Sequence, residues 1–154
     1  MTTGKKAKPV KILLVEDSPT DALLTQEALV ATDIPNKLHL VTDGVEALAF
    51  LRQEREYHQQ TRPDLILLDL NLPKKNGLEV LQELKTDESL RVIPVIILTT
   101  SKAEQDIVKS YRFHANCYVI KPVDFEKFTE AVDTIRNFWL SLVALPPRES
   151  VSDE

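Results

Sequence analysis

The chain has 154 residues, 43% of them apolar and 28% charged, the size and balance of one ordinary soluble globular domain. Lys plus Arg is 19 and Asp plus Glu is 24, a formal charge of −5 that argues against nucleic-acid binding through the general field, and the single cysteine, Cys117, excludes an internal disulfide framework and a multi-cysteine zinc site. No apolar run approaches membrane length, and the basic N-terminus has no apolar stretch behind it to make a secretory signal, so a cytoplasmic protein without membrane contact is expected.

Residues 1–8 are expected to be flexible, and the folded chain to begin near residue 9. Ile12-Leu13-Leu14-Val15 is too short for a helix and does not alternate, so it reads as a strand buried on both faces. Ser18 then caps a helix with Pro19 at its first position, running through Ala22, Leu23 and Leu29 to about Ala31. Leu38-His39-Leu40-Val41 alternates in part and reads as an edge strand. Asp43-Gly44-Val45-Glu46 has capping-box spacing, with Val45, Leu48 and Leu51 as the stripe behind it. Leu65-Ile66-Leu67-Leu68 is a second buried strand, followed by a helix from near Gly77 that carries Leu78, Leu81 and Leu84. Val95-Ile96-Ile97-Leu98 is a third. Ser101-Lys102-Ala103-Glu104 opens a helix through Ile107, Val108 and Tyr111. Tyr118-Val119-Ile120 is the fourth buried strand, and a last helix starts near Asp124, after Pro122. Strands alternating with helices imply a parallel sheet covered on both faces, a doubly wound α/β fold.

Such sheets bind ligands at the carboxyl ends of their strands. The residues found there are Glu16 and Asp17, then Asp69 and Asn71, then Thr99, Thr100 and Ser101, then Lys121. Three crowded carboxylates repel one another, and a hard divalent cation with oxygen ligands relieves the repulsion. A cation with open positions, a lysine point charge and a carboxylate nucleophile suit phosphoryl transfer through an aspartyl phosphate. Singly, each residue has a plainer reading. Glu16, Asp17 and Asp21 are acids before or within a first helical turn, Asp69 leads into a turn, Cys117 is a small core residue, and Lys74-Lys75 is a solvated turn.

Together these residues resemble the receiver domain of two-component response regulators, the CheY-like family. Val15-Glu16-Asp17, Leu68-Asp69-Leu70-Asn71-Leu72-Pro73, Leu98-Thr99-Thr100 and Tyr118-Val119-Ile120-Lys121-Pro122 carry the likeness over about residues 9–137. It implies a flavodoxin-like (βα)5 sheet of five strands in the order 2-1-3-4-5. It also implies Asp69 as phosphoacceptor, with Mg2+ held by Asp17, Asp69 and the backbone carbonyl of Asn71, and Glu16 acting through water. Thr99 and Lys121 would contact the phosphoryl group, and Tyr118 would change rotamer on signalling. Asn71 and Ser101 occupy positions that tune dephosphorylation in the family. Asn76 stands where the family often has Asp, at a helix start that either residue caps.

Ser110-Tyr111, His114-Ala115-Asn116-Cys117-Tyr118, Lys121-Pro122-Val123-Asp124, Phe138-Trp139-Leu140 and the long segment Arg52 to Arg62 are similar to the small response regulators of cyanobacterial phytochromes. The partner this implies is a phytochrome-like sensor histidine kinase. An unknown downstream protein would read the signal by contact or onward phosphotransfer, since too few residues follow the last helix for a DNA-binding output domain. The chain would then be a switch with slow Mg2+-dependent autophosphorylation and autodephosphorylation rather than a metabolic enzyme. The enzyme alternative, a haloacid-dehalogenase-type phosphatase, normally has an acid two residues after its nucleophile, where this chain has Asn71, and needs a cap region.

Phe125, Phe128, Val132, Ile135, Trp139 and Leu142 recur at heptad-like steps. The receiver with its extended last helix is expected over 9–143, and a tail over 144–154. The first turns would cover the sheet, and Phe138, Trp139 and Leu142 would form a homodimer interface, because exposed aromatic patches mark contact surfaces. The alternative is a segment folded back over its own domain.

Overall fold

Strands with an unbroken apolar run and no alternation persist only where both sheet faces are covered. In the computed structural model, which describes residues 9–100, 103 and 117–144 with side chains of the last helix to Ile135, three such strands form the centre of the sheet. The strands are β1 (Val10–Val15), β2 (Asn36–Val41), β3 (Leu65–Asp69), β4 (Val95–Thr99) and β5 (Cys117–Ile120). All pairs are parallel and the order is 2-1-3-4-5, as expected. The described helices are α1 (Pro19–Ala31), α2 (Gly44–Leu51), α3 (Gly77–Thr86) and α4 (Phe125–Ala144).

The two-residue period of the strands divides the core into two layers. Ile12, Leu14, Leu65, Leu67, Ile96 and Leu98 face α1 and α4, meeting Ala22, Ala28, Leu29, Phe128, Val132 and Ile135. Leu13, Val15, Ile66, Leu68, Val95 and Ile97 face α2 and α3, meeting Leu48, Phe50, Val80, Leu81 and Leu84.

Three local expectations need correction. The last strand is not buried on both faces: it is the sheet edge, so Tyr118 is half-buried and Ile120 is 43% exposed. Leu23 lies on the solvent face of α1 at 55% exposure, while Ala22, Thr25, Ala28 and Leu29 make its inner face. The capping box at Asp43 forms by half. Glu46 N–H donates to Asp43 Oδ1 at 2.8 Å, but the Glu46 carboxylate accepts from Tyr57 Oη at 2.7 Å and pairs with Arg55 at 3.0 Å instead. The complete box is at α3, where Asn76 and Glu79 exchange both bonds.

The Tyr57 contact fastens the segment between α2 and β3 over the β2 side of the sheet. His39, Phe50 and Tyr57 form a mutual cluster, with Phe50 4.6 Å from His39 and 5.3 Å from Tyr57, and His39 5.7 Å from Tyr57 between ring centroids. The helix expected from Ser101 to Tyr111 falls outside the described residues, apart from Ala103. So do residues 1–8, residues 145–154 and the side chains of Phe138, Trp139 and Leu142. Among the described residues no helix is long and apolar enough to cross a membrane.

Burial, and then the Glu46 carboxylate, push the Tyr57 phenol from its usual 10.0 up to about 12. A group whose folded pKa is raised stabilises the fold below its unfolded value and loses that contribution as pH rises through the folded one. Tyr57→Phe is therefore expected to cost about 1 kcal/mol at neutral pH and to flatten the fall in stability above the usual phenol pKa. Urea midpoints measured across that alkaline range check this; an equal fall in both proteins would place the titration elsewhere.

Candidate functional site

The carboxyl edge of the sheet gathers its polar residues by strand parity. Leu14 of β1 and Leu67 of β3 are ladder partners, and both face α1 and α4. Two residues further on, Glu16 and Asp69 keep that parity and project to the same side. Lys121 has the parity of Cys117 and Val119, which pack in the same layer. Backbone bonds carry the order past the strand ends: Glu16 N–H donates to the Val41 carbonyl at 3.0 Å, and Lys121 N–H to the Thr99 carbonyl at 2.7 Å.

The result is a charged cluster whose inner members, Glu16, Asp69 and Lys121, are largely closed to water. Glu16 is 1% exposed and Asp69 2%. Lys121 Nζ donates to Asp69 Oδ2 at 3.0 Å, and lies 2.8 Å from Glu16 Oε1 and 2.9 Å from Asp21 Oδ2. Asn71 N–H donates to Asp69 Oδ1 at 3.0 Å, and Ser18 N–H to Glu16 Oε2 at 3.2 Å. Burial, together with the nearness of Asp69, pushes Glu16 up to about 7 against the opposing pull of Lys121. Burial alone would lower Lys121, but the carboxylates of Glu16, Asp21 and Asp69 outweigh it and raise the ammonium pKa.

The donor set fits a hard divalent cation. Glu16, Asp17 and Asp69 each offer an oxygen, all within 4.8 Å of one another, with Asp17 on the solvent side. Glu16 Oε1 is buried and, despite its ion pair, receives no aligned hydrogen bond. A buried carboxylate oxygen short of donors beside two more carboxylates matches the oxygen-only coordination of such ions.

The loop after Asp69 is held by close backbone approach. A Cβ on Gly77 would sit 2.2 Å from the Asp69 carbonyl oxygen, so only glycine lets α3 start against the site. Gly44 likewise packs under the Lys75 carbonyl, where a Cβ would be 1.9 Å away. Lys74 pairs with Asp43 at 3.5 Å and Lys75 pairs with Glu83, so the two lysines tie the loop to α2 and α3.

Of the residues singled out from sequence, the structure thus brings Glu16, Asp17, Asp69, Asn71 and Lys121 together. Thr99 is fully buried at the end of β4, next to this cluster along the sheet edge. Tyr118 is half-buried, packs against the α2 and α3 layer, and has its phenol pKa raised by burial. Asp21 is the residue that sequence reasoning passed over. It is a first-turn acid, but its carboxylate also contacts Lys121. Cys117 is half-buried at the α4 side with its thiol pKa pushed up by burial, as a packing cysteine.

The model of the response regulator receiver domain matches residues 12–133 of this chain. The response regulator Rcp1 of Synechocystis sp. is 49% identical over 138 residues, covering 90% of this chain and 94% of Rcp1. The phosphorylated cyanobacterial phytochrome response regulator RcpA is a structural neighbour with a TM-score of 0.73 at 51% identity, over 90% of this chain and 99% of that one. The Mn(2+)-bound form of Rcp1 superposes with a TM-score of 0.72 at 49% identity, with the same coverage of 90% and 99%.

Proposed function

The chain belongs to the response regulator receiver domain family, and on that premise we propose that Asp69 accepts a phosphoryl group from a phytochrome-like sensor histidine kinase. The observation that carries this reading is the 3.0 Å contact of a buried Lys121 ammonium with Asp69, beside two further carboxylates. The likeness to Rcp1 and RcpA supports the phytochrome partner. A carboxylate oxygen of Asp69 attacks phosphorus; the O–P bond forms as the P–N bond to the kinase histidine breaks, and the leaving imidazole keeps the electron pair and takes a proton from solvent. Asp17, Asp69 and the Asn71 carbonyl would hold Mg2+, with Glu16 acting through water, and the bound ion would supply neutralisation of the phosphoryl charge. Lys121 and the Thr99 hydroxyl bind the phosphoryl oxygens. Hydrolysis by water reverses the modification, so the chain works as a switch with only this intrinsic chemistry.

Asp69→Asn keeps the shape of the site and removes the nucleophile. Labelling by acetyl phosphate or by a kinase is expected to vanish in this variant and, in the native chain, to require Mg2+. The native label is expected to be acid-stable and base-labile, as an acyl phosphate is. Undiminished labelling of the variant would overturn the assignment.

The phosphoryl group offers the Lys121 ammonium and the Thr99 hydroxyl a new, charged contact that the unmodified site does not have, which distinguishes the two states. Tyr118, of opposite strand parity to Lys121, carries that change to the α2 and α3 side of the sheet. Beryllofluoride is expected to change amide exchange around Thr99 and Tyr118 in the native chain but not in Lys121→Ala. An equal response in both would reject the coupling.

The same reading includes a homodimer through the end of α4. The helix runs for 20 residues, and Phe128, Val132 and Ile135 of its first turns are buried against the sheet. In the sequence Trp139 and Leu142 continue the heptad steps, with Phe138 next to Trp139. Sedimentation equilibrium is expected to give a dimer for the native chain and a monomer for Trp139→Glu. A native monomer with and without phosphate would discard the interface.

A further inference from the structure

Lys121 Nζ is ringed by three carboxylate oxygens, from Glu16 at 2.8 Å, Asp21 at 2.9 Å and Asp69 at 3.0 Å. Three carboxylate oxygens crowd the head of this ammonium, Asp69 through an aligned hydrogen bond and Glu16 and Asp21 as ion pairs. A phosphoryl oxygen can approach it only as one of them gives way. Two have other tasks in the function proposed above, on which this inference rests. Asp69 takes the phosphoryl group, and Glu16 belongs with Asp17 and Asp69 to the cluster that fits a cation. Asp21 is outside that cluster. It is fixed by α1 itself, since its N–H donates to the Oγ of the capping Ser18 at 3.2 Å. That bond sets the first turn and points the Asp21 carboxylate at Lys121. Lys121 otherwise reaches the site on a flexible four-carbon stem.

We propose that Asp21 is a positioning residue, which keeps the Lys121 ammonium in the site when Glu16 turns to the cation and Asp69 carries the phosphoryl group. With Asp21 holding one N–H, another stays aimed at a phosphoryl oxygen. Without it, the ammonium either collapses onto Glu16 and Asp69 or swings to water, and its charge arrives late at the transferring group. A different role, in which Asp21 merely adds negative field to attract the cation, makes a separable prediction: its loss is repaired by saturating Mg2+.

The test uses the full chain with Asp21→Asn, Asp21→Glu, Lys121→Met and the double variant Asp21→Asn with Lys121→Met. Urea midpoints in chelator are expected to be non-additive: once Lys121 is gone, Asp21→Asn causes little further loss. At saturating Mg2+, Asp21→Asn is expected to slow acetyl phosphate labelling of Asp69 by about tenfold, within the usual coupling range for groups in contact. Asp21→Glu is expected to restore most of the rate. Additive midpoints, or labelling by Asp21→Asn at the native rate under saturating Mg2+, would overturn the positioning role. Absent labelling of the native chain with non-additive midpoints would instead sink the phosphoacceptor reading and leave the hold of Asp21 on Lys121 standing.

Discussion

The carboxyl edge of this sheet is governed by one electrostatic constraint: a single ammonium must compensate two buried carboxylates, Glu16 and Asp69, with two more at the solvent side. Burying any one of these charges alone costs several kcal/mol, and mutual attraction offsets that only with good geometry and filled hydrogen bonds. The geometry here is 2.8 to 3.0 Å on all three sides of Lys121 Nζ. Four acids near one lysine still leave net negative charge. The raised pKa of Glu16 and the unsatisfied Glu16 Oε1 are two signs of the same excess. An arrangement of this kind is poised toward cationic and electrophilic ligands, because their arrival relieves a repulsion already built into the fold.

The surrounding structure serves to keep that cluster in place. Glycine at 77 lets α3 abut the Asp69 carbonyl, and the capping box of Asn76 and Glu79 fixes how α3 begins. Ser18 does the same for α1. On the other side of the sheet, Tyr57, Phe50 and His39 stack away from the chemistry and secure the segment between α2 and β3.

Fold class and most element limits were legible because the central strands are apolar on both faces and the cap residues are local signals, whereas the strand order came from the resemblance to receiver domains. Ser18-Pro19 places the start of α1, and Asn76-Gly77 places the start of α3. Sequence patterns were less informative where the outcome depended on distant partners. Leu23 looks like core until α1 is oriented by small residues such as Ala22 and Ala28. Glu46 has the spacing of a capping-box acid, but Tyr57 and Arg55 compete for it. Asp21 could be read only as a first-turn acid, because Lys121 is far away along the chain and meets it only through the sheet. The acids at the strand ends could be located because each directly follows an apolar strand, and Cys117 because it opens one.

That parity also sets which changes in chain length the protein can absorb. The loops between elements can lengthen with modest entropic cost, since closure entropy grows slowly with length. A single residue inserted within β1 or β3 is another matter. It would reverse the parity of everything downstream in that strand, sending Glu16 or Asp69 toward α2 and α3 and Val15 or Leu68 into the charged cluster. The sheet therefore acts as a reading frame for the site. Divergence by insertion is open to the connections and closed to the strands, whatever side chains the strands carry.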